Sequence, residues 1–276
     1  MTISVQTNAS AIIALQNLNK SSQDLQSAQN TISTGLMINT AKDNASVWSI
    51  AQKQRADVGA LGAVQGSLNR ASSIADVAQT AGASISDLLN QVKQKVVAAQ
   101  DPSLDPTSRA AYNTDFQSLL RQISDVVNNA VFDGANILDG SLSGNISFLA
   151  NADATSFITL STQNMSLGGS IISIPSTATI GTVTAANGVL SQINSSINAV
   201  NSALGDIGAQ ATEIQNHATF VAKLSDVLNQ GIGNLVDADM AKESAQLQAL
   251  QAQQQLGVEA LSIANSAPQI VLQLFK

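Results

Sequence analysis

The chain has 276 residues, 44% of them hydrophobic, 3% aromatic and 11% charged, with a net charge of −7 and a sequence pI of about 4.5. This suffices for a sizeable core, but one short of Phe, Tyr and Trp packs small aliphatic side chains, which suits helix–helix contact better than a deep ligand pocket. The acidic balance argues against nucleic acid and anionic membrane as partners, and the lack of cysteine removes disulfides and thiolate metal sites.

From the N-terminus, the first charged residue is Lys20, so Met1 to Asn19 lacks the basic region and apolar run of a cleaved secretory signal. No stretch approaches the ~20 apolar residues that span a bilayer. Taken alone, these facts describe a soluble, cytosolic chain. Leu18, Leu25 and Ile32 stand seven apart, with Leu15, Ala28 and Leu36 close to the same stripe. A second run follows at Leu61, Val64, Leu68, Ala71, Ala75 and Ala78. It overlaps Ile74, Val77, Ala81, Ile85, Leu88 and Val92, so two adjacent faces of one helix are apolar. Asp101-Pro102 and Asp105-Pro106 break the pattern before a third run, Phe116, Leu119, Ile123, Val126 and Ala130.

Between about Val131 and Gly188 the texture changes. Asp133-Gly134 and Asp139-Gly140 are turn signals, and alternation at Ile146, Phe148, Ala150 and at Ile158, Leu160 predicts a hairpin closed by Asn151 to Thr155. Ile171 to Ile174 and Ile180 to Val183 are further strand candidates. A helical run then extends through Leu190, Ile193, Ile197, Val200, Leu204, Ile207, Ala211, Ile214, Ala218 and Val221 to Leu228, Ile232 and Leu235. Such a helix would be roughly 70 Å long, so its partner should be another long helix in a coiled coil or bundle. Asp237 and Asp239 read as helix caps before Met240 in preference to a cation site. Leu247, Leu250, Leu261 and Ala264 form a last stripe, interrupted by Gln254. The predicted fold is mainly α with a small β region, built of long antiparallel helices.

Charge bears on how the ends associate. Residues 1–56 carry Lys20, Lys42, Lys53 and Arg55 against Asp24 and Asp43, while residues 237–276 carry Lys242 and Lys276 against Asp237, Asp239, Glu243 and Glu259. The opposite balance favours pairing of the two ends, within the limits of screening. No Lys or Arg occurs between Arg121 and Lys223, which makes the middle an acidic, polar surface.

Catalytic candidates are poor. His217, the one histidine, lies off the apolar stripe and reads as a solvated side chain, and without a second His or any Cys familiar zinc sets are excluded. Gly231-Ile232-Gly233 lacks the third glycine and the strand context of a dinucleotide site. Trp48 reads as a packing residue. Neither an enzyme nor any cofactor is expected, and scattered Ser and Asp make a serine hydrolase remote.

The segment Ile32-Ser33-Thr34-Gly35-Leu36-Met37-Ile38-Asn39-Thr40-Ala41-Lys42-Asp43-Asn44-Ala45 resembles the N-terminal signature of bacterial flagellins. Asp237-Ala238-Asp239-Met240-Ala241-Lys242-Glu243, then Gln253-Gln254-Gln255, Ala264-Asn265, Pro268-Gln269 and Val271-Leu272, resemble the C-terminal one. The resemblance covers roughly residues 1–150 and 187–276. It implies a structural subunit of the flagellar filament, a flagellin-like rod in which paired terminal helices form an inner tube and the long helices an outer one. It implies an inner-core helix over 1–42 that is disordered in the monomer, an outer-core rod over 43–238 with a β region at about 132–188, and a second inner-core helix over 239–276. Large projecting domains are not expected.

Under that resemblance Leu15, Leu18, Leu25, Ile32, Leu36, Leu247, Leu250, Leu261, Ile270, Val271 and Leu274 pack the polymer core. Ile38, Asn39, Ala41, Lys42 and Asp43 fall in the link between the tubes, which spans Ile38 to Ala45. The Ser and Thr residues between Ser141 and Thr184 are candidates for O-glycosylation. Expected partners are further copies of the chain, hook-associated junction and cap proteins and an export chaperone, with the product secreted through an uncleaved signal to the extracellular filament. Met37 stands where an arginine is frequent and Trp48 where a small or polar residue is common. Gln91, Gln94 and Lys95, within Leu89 to Val97, replace an Arg, a Glu and a Leu of receptor-activating flagellins, which predicts weak stimulation of the vertebrate flagellin receptor. The alternatives are a hook–filament junction protein, with the same terminal architecture, and a coiled-coil sensory or adaptor module, which ordered ends in a stable monomer would favour.

Overall fold

A computed structural model describes the backbone of residues 7–273 and the side chains of residues 7–266. It contains helices α1 (Ala9–Thr34), α2 (Ala45–Ala99), α3 (Pro106–Asn129), α4 (Val183–Val236) and α5 (Met240–Gln273), and strands β1 (Ile146–Leu149) and β2 (Phe157–Leu160). The helices begin where side chains can satisfy their first free N–H groups. Asn8 Oδ1 accepts from Ala11 N at 3.1 Å, Asn44 Oδ1 from Val47 N at 3.1 Å, and Asp105 Oδ1 from Thr107 N and Ser108 N at 2.8 and 3.0 Å. Pro106 occupies the first turn of α3, where its missing N–H costs nothing. Contacts divide the chain into two compact units, one formed by residues up to 56 with those from 227 onward, the other by 57–226.

In the unit of residues 57–226, α2 and α4 run antiparallel. Gln100 Nε2 donates to Ala186 O at 3.5 Å, Ser86 Oγ to Asn201 Oδ1 at 3.4 Å, and Gly82 lies against Leu204. A Cβ on Gly82 would stand 2.5 Å from Leu204 Cδ2, so the missing side chain sets how closely the helices approach. On α4, Ile193, Val200, Ile207, Ile214 and Val221 recur every seventh residue and are buried, while Ile197, Leu204 and Ala211 between them are half-buried. The heptad reading therefore holds, and it identifies the deeper of the two positions. On α2 both faces are covered, from Leu61, Val64, Leu68 and Ala71 to Ile74, Ala81 and Ile85. Further along, Leu89 is fully buried where the spacing pointed to Leu88, and on α3 Val127 is buried in place of Val126. Val92 and Ala130 stay buried as the spacing implied, so the stripe itself is unmoved: i+3 and i+4 both lie on the same face of a helix, and spacing alone does not choose between them.

The hairpin forms as expected, with Phe148 opposite Ile158 and Ile146 opposite Leu160, and Phe148 and Leu160 buried. Asn151 Oδ1 closes its loop by accepting from Thr155 N and Ser156 N. The other strand candidates do not form a ladder. Ile172, Ile174 and Ile180 are buried, but Ser173 N donates to Ser196 Oγ and Ile180 N to Asn113 Oδ1. Alternating burial is met, but only an isolated bridge between Leu167 and Ile172 forms, and the Ser173 and Ile180 donors go to helix side chains in place of a neighbouring strand. Helix α4 also starts at Val183, inside the segment expected to be β up to Gly188. His217 is not a solvated side chain: its Nε2 lies 2.7 Å from Ala150 O, and its ring meets Phe220 at 5.8 Å. Since a carbonyl only accepts, Nε2 carries the proton.

Candidate assembly surfaces at the chain ends

In the other unit, α1 and α5 lie antiparallel. Asn8 Nδ2 donates to Ala264 O at 2.7 Å, Leu18 packs on Gly257, and Gln254 Nε2 donates to Ser22 Oγ at 3.2 Å. The seam on α1 runs Ala11, Ala14, Leu18, Ser21, Leu25, Ala28 and Ile32. The seam on α5 runs Glu243, Leu247, Leu250, Gln254, Gly257, Leu261 and Ala264, alternately four and three apart. Ala28 is 3% exposed and Leu250 8%, while the other members are half-buried, so the interface is narrow and mixes leucines with small residues. Leu18, Leu25, Ile32, Leu247, Leu250 and Leu261 thus take the positions their spacing implied, and Leu36 is half-buried just beyond the end of α1. Leu15 does not. It is 47% exposed, because it stands three residues before Leu18 but one after Ala14, off the seam. Ile270 and Val271 belong to α5, but their side chains, and Leu274 as a whole, lie outside the described residues.

Sequence spacing missed the contribution of Ala11, Ala14 and Ser21, which are too small or polar to mark a stripe. Gln254, which interrupts the stripe, is in the seam and satisfied by Ser22. Among the described residues the charge balance of the two ends does not act through ion pairs between them. Among the described residues both salt bridges, Arg70–Asp133 and Lys95–Asp115, belong to the unit of 57–226.

The links into this pair are held by backbone bonds. Gly35, at φ +71°, closes α1, with its N–H donating to Thr31 O at 2.8 Å. Leu36 and Asp237 then form an isolated antiparallel bridge, with Met37 N donating to Val236 O at 2.8 Å and Ala238 N to Gly35 O at 2.9 Å. Ile38 is buried; Asn39, Ala41, Lys42 and Asp43 are exposed. Asp43 Oδ2 accepts from Thr40 N at 2.8 Å, Asn39 N at 3.0 Å and Thr40 Oγ1 at 3.2 Å, and these bonds hold its carboxyl below the usual value. Asp239 caps α5, accepting from Ala241 N and Lys242 N at 3.0 and 3.2 Å.

The outward faces of this unit are apolar in places. Ile12, Ile13 and Leu15 of α1 are exposed, and so are Leu256 at 69%, Val258 and Ile263 at 65% on α5. An open groove runs between the helices, lined by Ile13, Ala14, Asn17, Leu256, Gly257 and Ala260. Among the described residues no three His, Asp or Glu side chains cluster to hold a metal, and no helix is long and apolar enough to cross a membrane. What these features define is a protein of long paired helices, with apolar surface on its end helices.

Residues 5–143 match the bacterial flagellin N-terminal helical region and residues 190–275 the bacterial flagellin C-terminal helical region. The chain is similar to flagellin FljJ of Caulobacter vibrioides, at 52% identity over 278 residues covering 100% of this chain and 99% of that one. It is also similar to a flagellin of Brucella melitensis, at 38% identity over 281 residues and 99% of each. A crystal structure of Bacillus cereus flagellin shares its fold with a TM-score of 0.50 at 16% identity, over 56% of this chain and 88% of the other. The chain belongs to the bacterial flagellin family and is a structural subunit of the flagellar filament.

Proposed function

We propose that the chain polymerises head to tail through α1 and α5. The observation that carries this is that α5 is apolar beyond its seam: Leu247, Leu250 and Leu261 meet α1, while Leu256, which borders the groove, and Ile263 form a second, exposed apolar face. A further copy can cover the second face, at about 25 cal/mol per Å² of apolar surface removed from water. Non-closing contacts of this kind build helical fibres. The chain then has three functional segments, with 1–42 and 239–276 ordering on assembly and 43–238 forming the outer wall. The free ends, rich in Ser, Gln and Asn, gain too little from one narrow seam to offset their conformational entropy. Leu15, exposed beside the seam, joins the packing residues only in the polymer, as do Ile270, Val271 and Leu274.

The reading extends to export through an uncleaved signal to an extracellular filament, to junction and cap proteins at its ends, to an export chaperone before assembly, and to the absence of enzymatic activity. Exposed hydroxyls such as Ser141, Ser143, Thr155, Ser176 and Thr177 are the positions of the 141–184 region open to O-glycosylation. The test is seeded polymerisation in ammonium sulfate, followed by negative-stain electron microscopy, with a version lacking 1–42 and 239–276 beside the full chain. Long filaments from the full chain alone support the reading; a full chain that stays monomeric with seeds overturns it.

A further inference from the structure

Charged residues are scarce on the paired helices. Helix α1 holds Lys20 and Asp24, and α5 from Ser244 to Gln273 holds Glu259 alone. Lys20 stands two residues from both Leu18 and Ser22, which meet α5. Glu259 stands two residues from both Gly257 and Leu261, which sit in the seam. Two-residue steps turn a helix by about 200°, so each charge lies on the back of its helix, away from the other. The two backs are separated by both helix bodies, about 20 Å, which puts an ion pair within one copy out of reach. Neither side chain makes a salt bridge among the described residues, and both are exposed.

Their surroundings are those of a surface awaiting a partner. Glu259 has Leu256, at the edge of the groove, one turn before it and Ile263 one turn after it, both exposed. Lys20 has exposed Ile13, at the edge of the groove, two turns before it and exposed Asp24 one turn after it. A lone carboxylate in the middle of an apolar stripe opposes burial of that stripe unless a cation meets it.

We propose that Lys20 of one copy pairs with Glu259 of the next where α1–α5 pairs stack back to back, so that this ion pair sets the register of the polymer contact. The proposal rests on the polymerising role assigned above to α1 and α5. Stacking the back of α1 on the back of α5 is a contact between unlike faces, which repeats without closing. A symmetric contact between like faces would set Lys20 against Lys20, or Glu259 against Glu259, and be repelled. The Leu18–Gly257 and Ser22–Gln254 contacts put Lys20 level with residues 255–256 of its own partner helix. Glu259 lies a further three to four residues along, about 5 Å. Successive copies are therefore staggered by about one helical turn along the axis, which suits a helical row.

The experiment is the critical concentration for elongation from wild-type seeds at low salt, for the wild type, Lys20→Glu, Glu259→Lys, the double variant, and an equimolar mixture of the two single variants. Each single variant should raise the critical concentration about tenfold or more, and high salt should narrow the gap. The double variant and the mixture should return to within about threefold of the wild type. Rescue by the mixture shows that the pair joins different copies. Single variants that elongate like the wild type, or a double variant no better than either, overturn the ion pair while leaving polymerisation standing. A wild-type chain that does not elongate at all overturns both.

Discussion

Asp43, Asp101 and Asp105 each work through an acceptor oxygen turned onto nearby donors. Asp43 takes the Thr40 and Asn39 amides; Asp101 takes the hydroxyl and amide of Ser103; Asp105 takes the hydroxyl and amide of Ser108, then Thr107. These bonds hold all three carboxyls below the ordinary value of 3.8 in the folded chain. Their stabilisation is complete well above that value and is lost as pH falls through the lower folded values. Unfolding midpoints should be flat in these contributions between about pH 5 and 7 and fall below about pH 4. Asp105→Asn should keep the cap but weaken that acid slope. Asn136 is a different case. It is buried, its Nδ2 donating to Val127 O at 2.7 Å and its Oδ1 accepting from Leu138 N at 2.8 Å. Asn136→Ala should cost about 2 kcal/mol in denaturant unfolding, because buried Leu138 N loses its acceptor while Val127 O keeps only Ala130 N. Nothing in the spacing of the sequence marks Asn136, whereas Asp105 before Pro106 is readable as a cap.

Among the elements, α2 shows where periodicity succeeds and where it slips. Its two overlapping runs predict a helix touching two neighbours, and the burial of Leu68, Ala71, Ile74 and Ile85 agrees. One turn later the choice between adjacent leucines goes the other way. Leu89→Ala should cost about 3 kcal/mol by cavity formation, and Leu88→Ala clearly less, since Leu88 is only half-buried. Equal losses in thermal or denaturant unfolding would count against the burial described. The segment from Ile171 to Val183 fails for another reason. Period-2 burial reports that side chains alternate, but a strand needs a partner strand, and here Ser196 and Asn113 take the donors. His217 slipped in the same way. Off the stripe it looks solvated, until the end of the hairpin places Ala150 O beside it, and His217→Ala should cost about 1 kcal/mol through that lost bond.

On the scale of the whole molecule, the expected response of the vertebrate flagellin receptor is weak. Within Leu89 to Val97, Leu89 is buried, Gln91 and Gln94 are exposed, and Lys95 is engaged with Asp115 at 2.7 Å. A reporter-cell assay should show little signalling, and a strong response at picomolar protein would refute this. The family, the long helices, the hairpin and most of the terminal stripes were legible from residues alone, because seven-residue spacing, turn pairs and two terminal motifs are properties of the chain in order. Left to the tertiary structure were which of two neighbouring residues faces inward, where the loop amides find acceptors, and that the two end helices join through leucines, small side chains and hydrogen bonds, with no ion pair between them among the described residues. Those outcomes depend on what stands opposite each residue, and an element's own spacing says nothing about its partner. Lys20 and Glu259 show the difference: in the sequence they add to opposite charge balances, and only the seam between α1 and α5 turns both of them outward.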